Sequence, residues 1–79
     1  MTWQNEAVCL ISGERAEEAL PREGDFQEII SPTYGRYRVA NSVIPELAEL
    51  DQMERIRILS HARAAAKGGD IPIITSASL

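Results

Sequence analysis

Two short loops in this chain repeat one outline, and that repetition restricts the fold more than any other feature. Cys9-Leu10-Ile11-Ser12-Gly13 and Ser31-Pro32-Thr33-Tyr34-Gly35 each set two anchor side chains three positions apart and follow them at once with a glycine. Glycine there admits turn conformations that a side chain resists, and Pro32 presets φ. Strand-like runs flank both loops. Ala7 to Ile11 enters the first and Glu17 to Leu20 leaves it; Phe26 to Ile30 enters the second. Arg36 to Ala40 leaves the second, with Tyr37 and Val39 on one face and Arg36 and Arg38 on the other. The passage from Glu14 to Leu20 also admits a brief helix. Pro21 and the turn-like Arg22-Glu23-Gly24-Asp25 favour the strand. These runs predict three short antiparallel strands, with the polar Met1 to Glu6 outside them and Trp3 folding back onto the domain.

The pattern then becomes helical. Asn41 or Ser42 can cap a helix that tolerates Pro45 in its first turn and repeats apolar residues at Val43, Ile44, Leu47 and Leu50. Asp51-Gln52-Met53-Glu54 has the form of a capping box, so a second helix is predicted from Asp51 to about Lys67, where Gly68-Gly69 ends it. Ile56, Ile58, Leu59, Ala62 and Ala66 fall along one side of it. Arg55 and Arg63 border that side, and Asp51 with Arg55 forms a favourable i,i+4 pair. Ile71-Pro72-Ile73-Ile74 is too apolar for a free tail, and its proline suits an edge strand or an extended segment.

A chain of 79 residues has room for one domain with a small core. With 44% hydrophobic and 25% charged residues it lacks the composition of a disordered chain. The net charge of -4 is unevenly spread. Residues 1–54 hold eleven acids against four bases (net -7), and residues 55–79 hold four bases against Asp70 (net +3). One cysteine excludes an intramolecular disulfide and makes a reducing cytosol the simpler home. No signal peptide or membrane-length apolar run is read, so the expectation is a cytoplasmic protein without membrane contact.

With cysteine at all four anchors, the two loops would read Cys-x-x-Cys-Gly and Cys-x-x-Cys-Gly-x-Tyr. On the paired loops, the run Gly35-Arg36-Tyr37-Arg38-Val39 and the Arg-rich second helix before Pro-Ile-Ile, the chain from about Ala7 to Ile74 resembles small bacterial zinc-ribbon proteins with the metal site erased. The fold this implies is α+β: a small three-stranded antiparallel sheet with metal-free, zinc-ribbon-like knuckles, followed by two helices and a C-terminal extended segment. The whole would be a single small domain over 1–79, with a ribbon-like part at 7–40, a helical part at 41–67 and a tail at 68–79. Only Cys9 keeps a ligand identity, because the other anchors are Ser12, Ser31 and Tyr34, whose neutral hydroxyls bind zinc poorly. No metal or other cofactor is expected. Tyr34, with Cys9 as a small hydrophobe, is predicted to fill the space a metal would occupy.

Catalysis has little to work with. Cys9 and His61 are the one nucleophile and base pair available, and the sequence sets them on a turn and on the outer side of a helix. Glu14, Glu17 and Glu18 read as a solvated acidic passage rather than acid-base groups. The glycines match no phosphate loop. The expectation is therefore a non-enzymatic protein-protein interaction module that docks an acidic front (Glu14, Glu17, Glu18, Glu23, Asp25, Glu28) onto a basic surface of a larger protein or ribonucleoprotein complex. By analogy, such a module serves as a phage or mobile-element inhibitor of a host defence complex, of the anti-CRISPR type. The alternative is nucleic-acid binding by Arg36, Arg38, Arg55, Arg57, Arg63 and Lys67, provided the second helix lies beside the last strand. Self-association through Trp3 or the Ile71 to Ile74 edge stays open.

Overall fold

The computed structural model describes residues 2–20 and 24–79. Strands β1 (Thr2–Val8), β2 (Arg15–Leu20), β3 (Phe26–Ser31) and β4 (Gly35–Ala40) pair in chain order as an antiparallel meander. A 3-10 turn (Asn41–Val43) leads into α1 (Ile44–Glu49) and α2 (Gln52–Ala65). The chain then returns as β5 (Ile73–Ile74), parallel to β4, giving the order β1-β2-β3-β4-β5. The expected three-stranded antiparallel sheet is thus corrected to a mixed sheet of five strands among the described residues.

Both added strands escape the alternation rule for a physical reason. The polar run Thr2-Trp3-Gln4-Asn5-Glu6 is a strand because it lies at a sheet edge and needs no apolar face of its own. Two residues, Asn5 and Glu6, stand opposite the single Glu17 between the pairs Gln4↔Glu18 and Ala7↔Ala16, so β1 is bulged and its parity shifts. At the other edge, β5 contributes two residues only. The N–H of Arg38 donates to the Pro72 carbonyl at 2.8 Å, and Pro72, which has no N–H to offer, sits where none is required.

One face of the sheet carries the core. Ala16, Ile29, Tyr37 and Val39 from the strands, Cys9 and Ile11 from the first turn, Val43 and Leu47, and Ile58, Leu59 and Ala62 of α2 form one buried cluster closed by Ile74. α2 starts where its cap signals: Asp51 Oδ1 accepts from the Glu54 N–H at 2.9 Å. The reciprocal half of a capping box is replaced by an ion pair, since the Glu54 carboxylate accepts from Arg57 Nη2 at 2.8 Å. α1 has no side-chain cap; it begins after the 3-10 turn, with Pro45 in its first turn.

Arg55 does not reach Asp51. Its Nε donates to the carbonyls of Leu50 (2.9 Å) and Leu47 (3.1 Å), its Nη2 to Ala48 (3.1 Å) and its Nη1 to Ile11 (3.5 Å). The last carbonyls of a helix have no intrahelical donors and carry partial negative charge, so one guanidinium satisfies the end of α1 and ties it to the first turn. Arg55→Met keeps the stem and removes the donors. It is expected to cost about 1–2 kcal/mol, since the site is part-exposed, which a thermal melt reads as a midpoint lower by roughly 5–15 °C.

Candidate functional site

The two turns do meet. Gly13 (φ 81°) and Gly35 (φ 72°) both hold left-handed conformations that suit glycine. The first turn closes with Gly13 N–H donating to the Cys9 carbonyl (2.9 Å) and Cys9 N–H to that of Glu14 (2.8 Å). Each serine anchor braces its own turn. Ser12 Oγ accepts from the Glu14 N–H at 3.3 Å, and Ser31 Oγ accepts from those of Thr33 (3.2 Å) and Tyr34 (3.1 Å).

Between the turns lies Cys9, 1% exposed. Burial raises its thiol, but hydrogen bonds from the side chains of Ser12, Ser31 and Tyr37 and from the Ser12 backbone together hold it below its ordinary range. Tyr37, not Tyr34, fills the centre. Its hydroxyl lies 3.2 Å from Cys9 Sγ and accepts the Leu10 N–H at 2.9 Å, whereas Tyr34 packs at the core margin. Burial first, then the hydrogen bond and charge interaction with Cys9, hold the Tyr37 phenol well above its usual range. Tyr37 and Cys9 thus share one hydrogen bond, in which either group can be the donor. Sequence parity already set Tyr37 on one face with Val39; the anchor spacing drew attention to Tyr34 instead. Among the described residues no three side chains of His, Cys, Asp or Glu converge on a metal-holding arrangement.

The face opposite the helices has no second layer, and its side chains cover one another. Glu28 is 6% exposed; Oε1 accepts from Arg38 Nε at 2.7 Å, and Oε2 from Arg36 Nε at 2.8 Å and from Arg36 Nη2. Its burial works against ionisation, but the hydrogen bonds from Arg38 and Arg36, and then their charges, hold the carboxyl below the usual range. Arg36 also stacks on Trp3 at 5.4 Å from the ring centre, and Arg38 on Phe26 at 4.8 Å. Trp3 pairs with Ala19 across β1 and β2, and that small residue is 6% exposed beneath the lid. Spacing alone assigned no such role to Trp3 or Phe26. The signal that could have found them is the shared parity of Phe26 and Glu28 against Arg36 and Arg38.

The candidate contact residues separate accordingly. Glu28 is the buried centre of the lid, and Glu18 is buried on the helix-covered face. Glu14, Glu17 and Asp25 remain at the surface, and Glu23 lies outside the described residues. The six cations of the alternative site do not share a face. Arg36 and Arg38 belong to the lid, Arg55 to the end of α1, and Arg57 to Glu54. Arg63 approaches Gly35, and Lys67 follows α2. His61 is exposed on α2, away from the buried Cys9.

This pairing changes the surface charge. Among the described residues, Arg36, Arg38, Arg55 and Arg57 are held by intramolecular acceptors, leaving Arg15, Arg63 and Lys67 without an ion pair. Seven of the described carboxylates have no ion pair and no hydrogen bond: Glu6, Glu14, Glu17, Asp25, Glu46, Glu49 and Asp70; Asp51 has no ion pair either but caps α2. Arg55 joins the α1 end to the first turn, which brings the segment bearing Glu46 and Glu49 beside the turn bearing Glu14. Compared with known proteins, the chain matches no family model, no curated protein and no solved structure. No helix of the described residues is long and apolar enough to cross a membrane.

Proposed function

We propose that this protein is a non-enzymatic interaction module that docks a basic surface of a larger protein or ribonucleoprotein complex in the cytoplasm. The observation that carries the reading is the unequal fate of the charges. Among the described residues, four of seven cations are held by acceptors of the chain itself, while seven carboxylates, six of them exposed and Glu14 half-buried, have no partner. Unpaired surface carboxylates steer a basic partner and exchange solvent for its Lys and Arg on docking. Inhibition of a host defence complex, as by phage anti-CRISPR proteins, is one such role, because the grooves of those complexes that hold nucleic acid are basic. A second reading has one specific observation in its favour: Trp3 and Phe26 interleave with Arg36 and Arg38 on an open sheet, as in single-strand binding surfaces. The same guanidiniums are tied to Glu28, which lowers their value for phosphate.

Immobilised full-length chain, compared with a Glu14→Gln/Glu46→Gln/Glu49→Gln variant, tests the two readings on a bacterial lysate and on labelled single-stranded DNA. The expected result is stoichiometric capture of a basic protein that the variant loses at least tenfold and that falls as salt rises from about 0.05 to about 0.5 M. A DNA shift undiminished in the variant, with no basic protein captured, would overturn the first reading in favour of the second.

A further inference from the structure

The sheet has two unlike edges. β5 is two residues long and adjoins Pro72, so it offers little backbone to another strand. β1 offers seven residues, none of them Pro or Lys, and its outer backbone groups have no neighbour within the described chain. At its bulge the Glu6 N–H donates to Gln4 Oε1 at 2.6 Å. Beside the bulge, a groove runs between Asn5 of β1, Arg15, Ala16 and Glu17 of β2, and Ile30 and Pro32. Its apolar parts match the stem of a long side chain, and Glu17, which has no ion pair, lies within it.

Resting on the basic-partner reading above, we infer that β1 is the docking edge: an extended basic segment of the partner adds to it as a sixth strand and lays a Lys or Arg side chain into the bulge groove against Glu17. Main-chain hydrogen bonds supply affinity in such strand addition, and a pocket for an alternate side chain supplies selectivity. Charge chooses the occupant. Around this edge and groove lie the unpaired Glu6, Glu14 and Glu17 against Arg15 alone. A second copy would bring another net charge of -4 and its own Glu6 to the same line, and the bulge breaks the long register that two identical edges require.

Three synthetic octapeptides test this on the full chain: alternating Lys-Val, alternating Glu-Val, and Lys-Val with alternate peptide nitrogens methylated. The methylated peptide keeps charge and side chains but cannot pair as a strand. Binding is followed by amide hydrogen exchange, and oligomeric state by sedimentation. The expected result is that only the unmodified Lys-Val peptide binds, that it slows exchange at least tenfold within residues 2–8, and that Glu17→Gln weakens it about three- to tenfold while melting at the same temperature. Equal binding of the methylated peptide would overturn strand addition and leave the acidic-surface reading standing. Equal binding of the Glu-Val peptide, no binding of any peptide, or a β1-dependent dimer would each overturn the inference as well.

Discussion

Replacing Tyr37 with alanine is expected to lower stability by about 3–5 kcal/mol, the usual cost of deleting a large buried ring. Tyr37 is 0% exposed and packs among Cys9, Ile11, Ile29 and Val39. A domain of this length has on the order of 4–12 kcal/mol in total, so the variant loses about a quarter or more of its margin and unfolds below about 40 °C unless the starting stability is high. Tyr37→Phe separates the ring from the hydroxyl. It keeps the packing but strips the Leu10 N–H of its 2.9 Å acceptor and the Cys9 sulfur of one hydrogen-bond partner, at an expected cost of about 1–3 kcal/mol. It also removes one of the hydrogen bonds that hold the Cys9 thiol below its ordinary range, so that thiol's titration moves upward. Denaturant unfolding of both variants, with thiol titration of the phenylalanine form, checks the prediction. An alanine variant as stable as the parent would show that the turn pair does not close on Tyr37.

The elements legible in the sequence are those whose signal is local. Asp51 marks the start of α2 because an N-cap is read over three residues, and Gly35 marks its turn because left-handed backbone excludes most side chains. What escaped the sequence depends on contacts distant along the chain. β1 looks polar because its outer partner Arg36 is 33 positions away in the chain and supplies the cover that alternation ordinarily reveals. The bulge at Asn5 and Glu6 then shifts the parity that a strand reading relies on. β5 is two residues long, too short for any period, and forms because β4 and α2 leave a slot for Ile74. The candidate site fared likewise. Surface acids can be counted from sequence, but which acids are free depends on pairing, and Glu18 and Glu28 leave the surface only once β2 and β3 are in place.

The Arg residues show the same dependence. Of the six cations drawn as one basic face, Arg36 and Arg38 go to Glu28 on the opposite sheet face, Arg55 to a helix end and Arg57 to a surface ion pair, each where negative charge collects locally, while Arg63 and Lys67 have no ion pair. The functional consequence runs in one direction. Cations used to complete the fold do not compete with the surface carboxylates for a partner, so the unpaired surface charge is more acidic than the overall composition.

Removing the Glu28 carboxylate is the most direct way to disturb that distribution. Glu28→Ala leaves Arg36 and Arg38 side by side with no counter-charge and opens the lid over Ala19. Because the two guanidinium side chains are 43% and 35% exposed, water recovers part of the loss. The expected destabilisation is about 2–3 kcal/mol rather than the 3–5 typical of a fully buried pair. Glu28→Gln keeps the shape and isolates the charge. The Glu28 carboxyl is lowered in the folded state, so folding favours its ionised form and the ion contributes stability above its unfolded pKa of about 4.3. That contribution disappears as pH falls through the still lower folded value. The stability gap between the parent and Glu28→Gln is therefore expected to stay constant above about pH 5 and to narrow steadily below about pH 4.3. Urea unfolding at half-unit steps from pH 7 to pH 3 reads this directly. A gap that stayed constant across the acid range would mean the two arginines do not hold Glu28 as an ion. A released Arg36 and Arg38 would also add two free cations to the sheet face, so the same variant is expected to bind single-stranded DNA more tightly than the parent and, under the proposed function, to bind a basic partner less tightly.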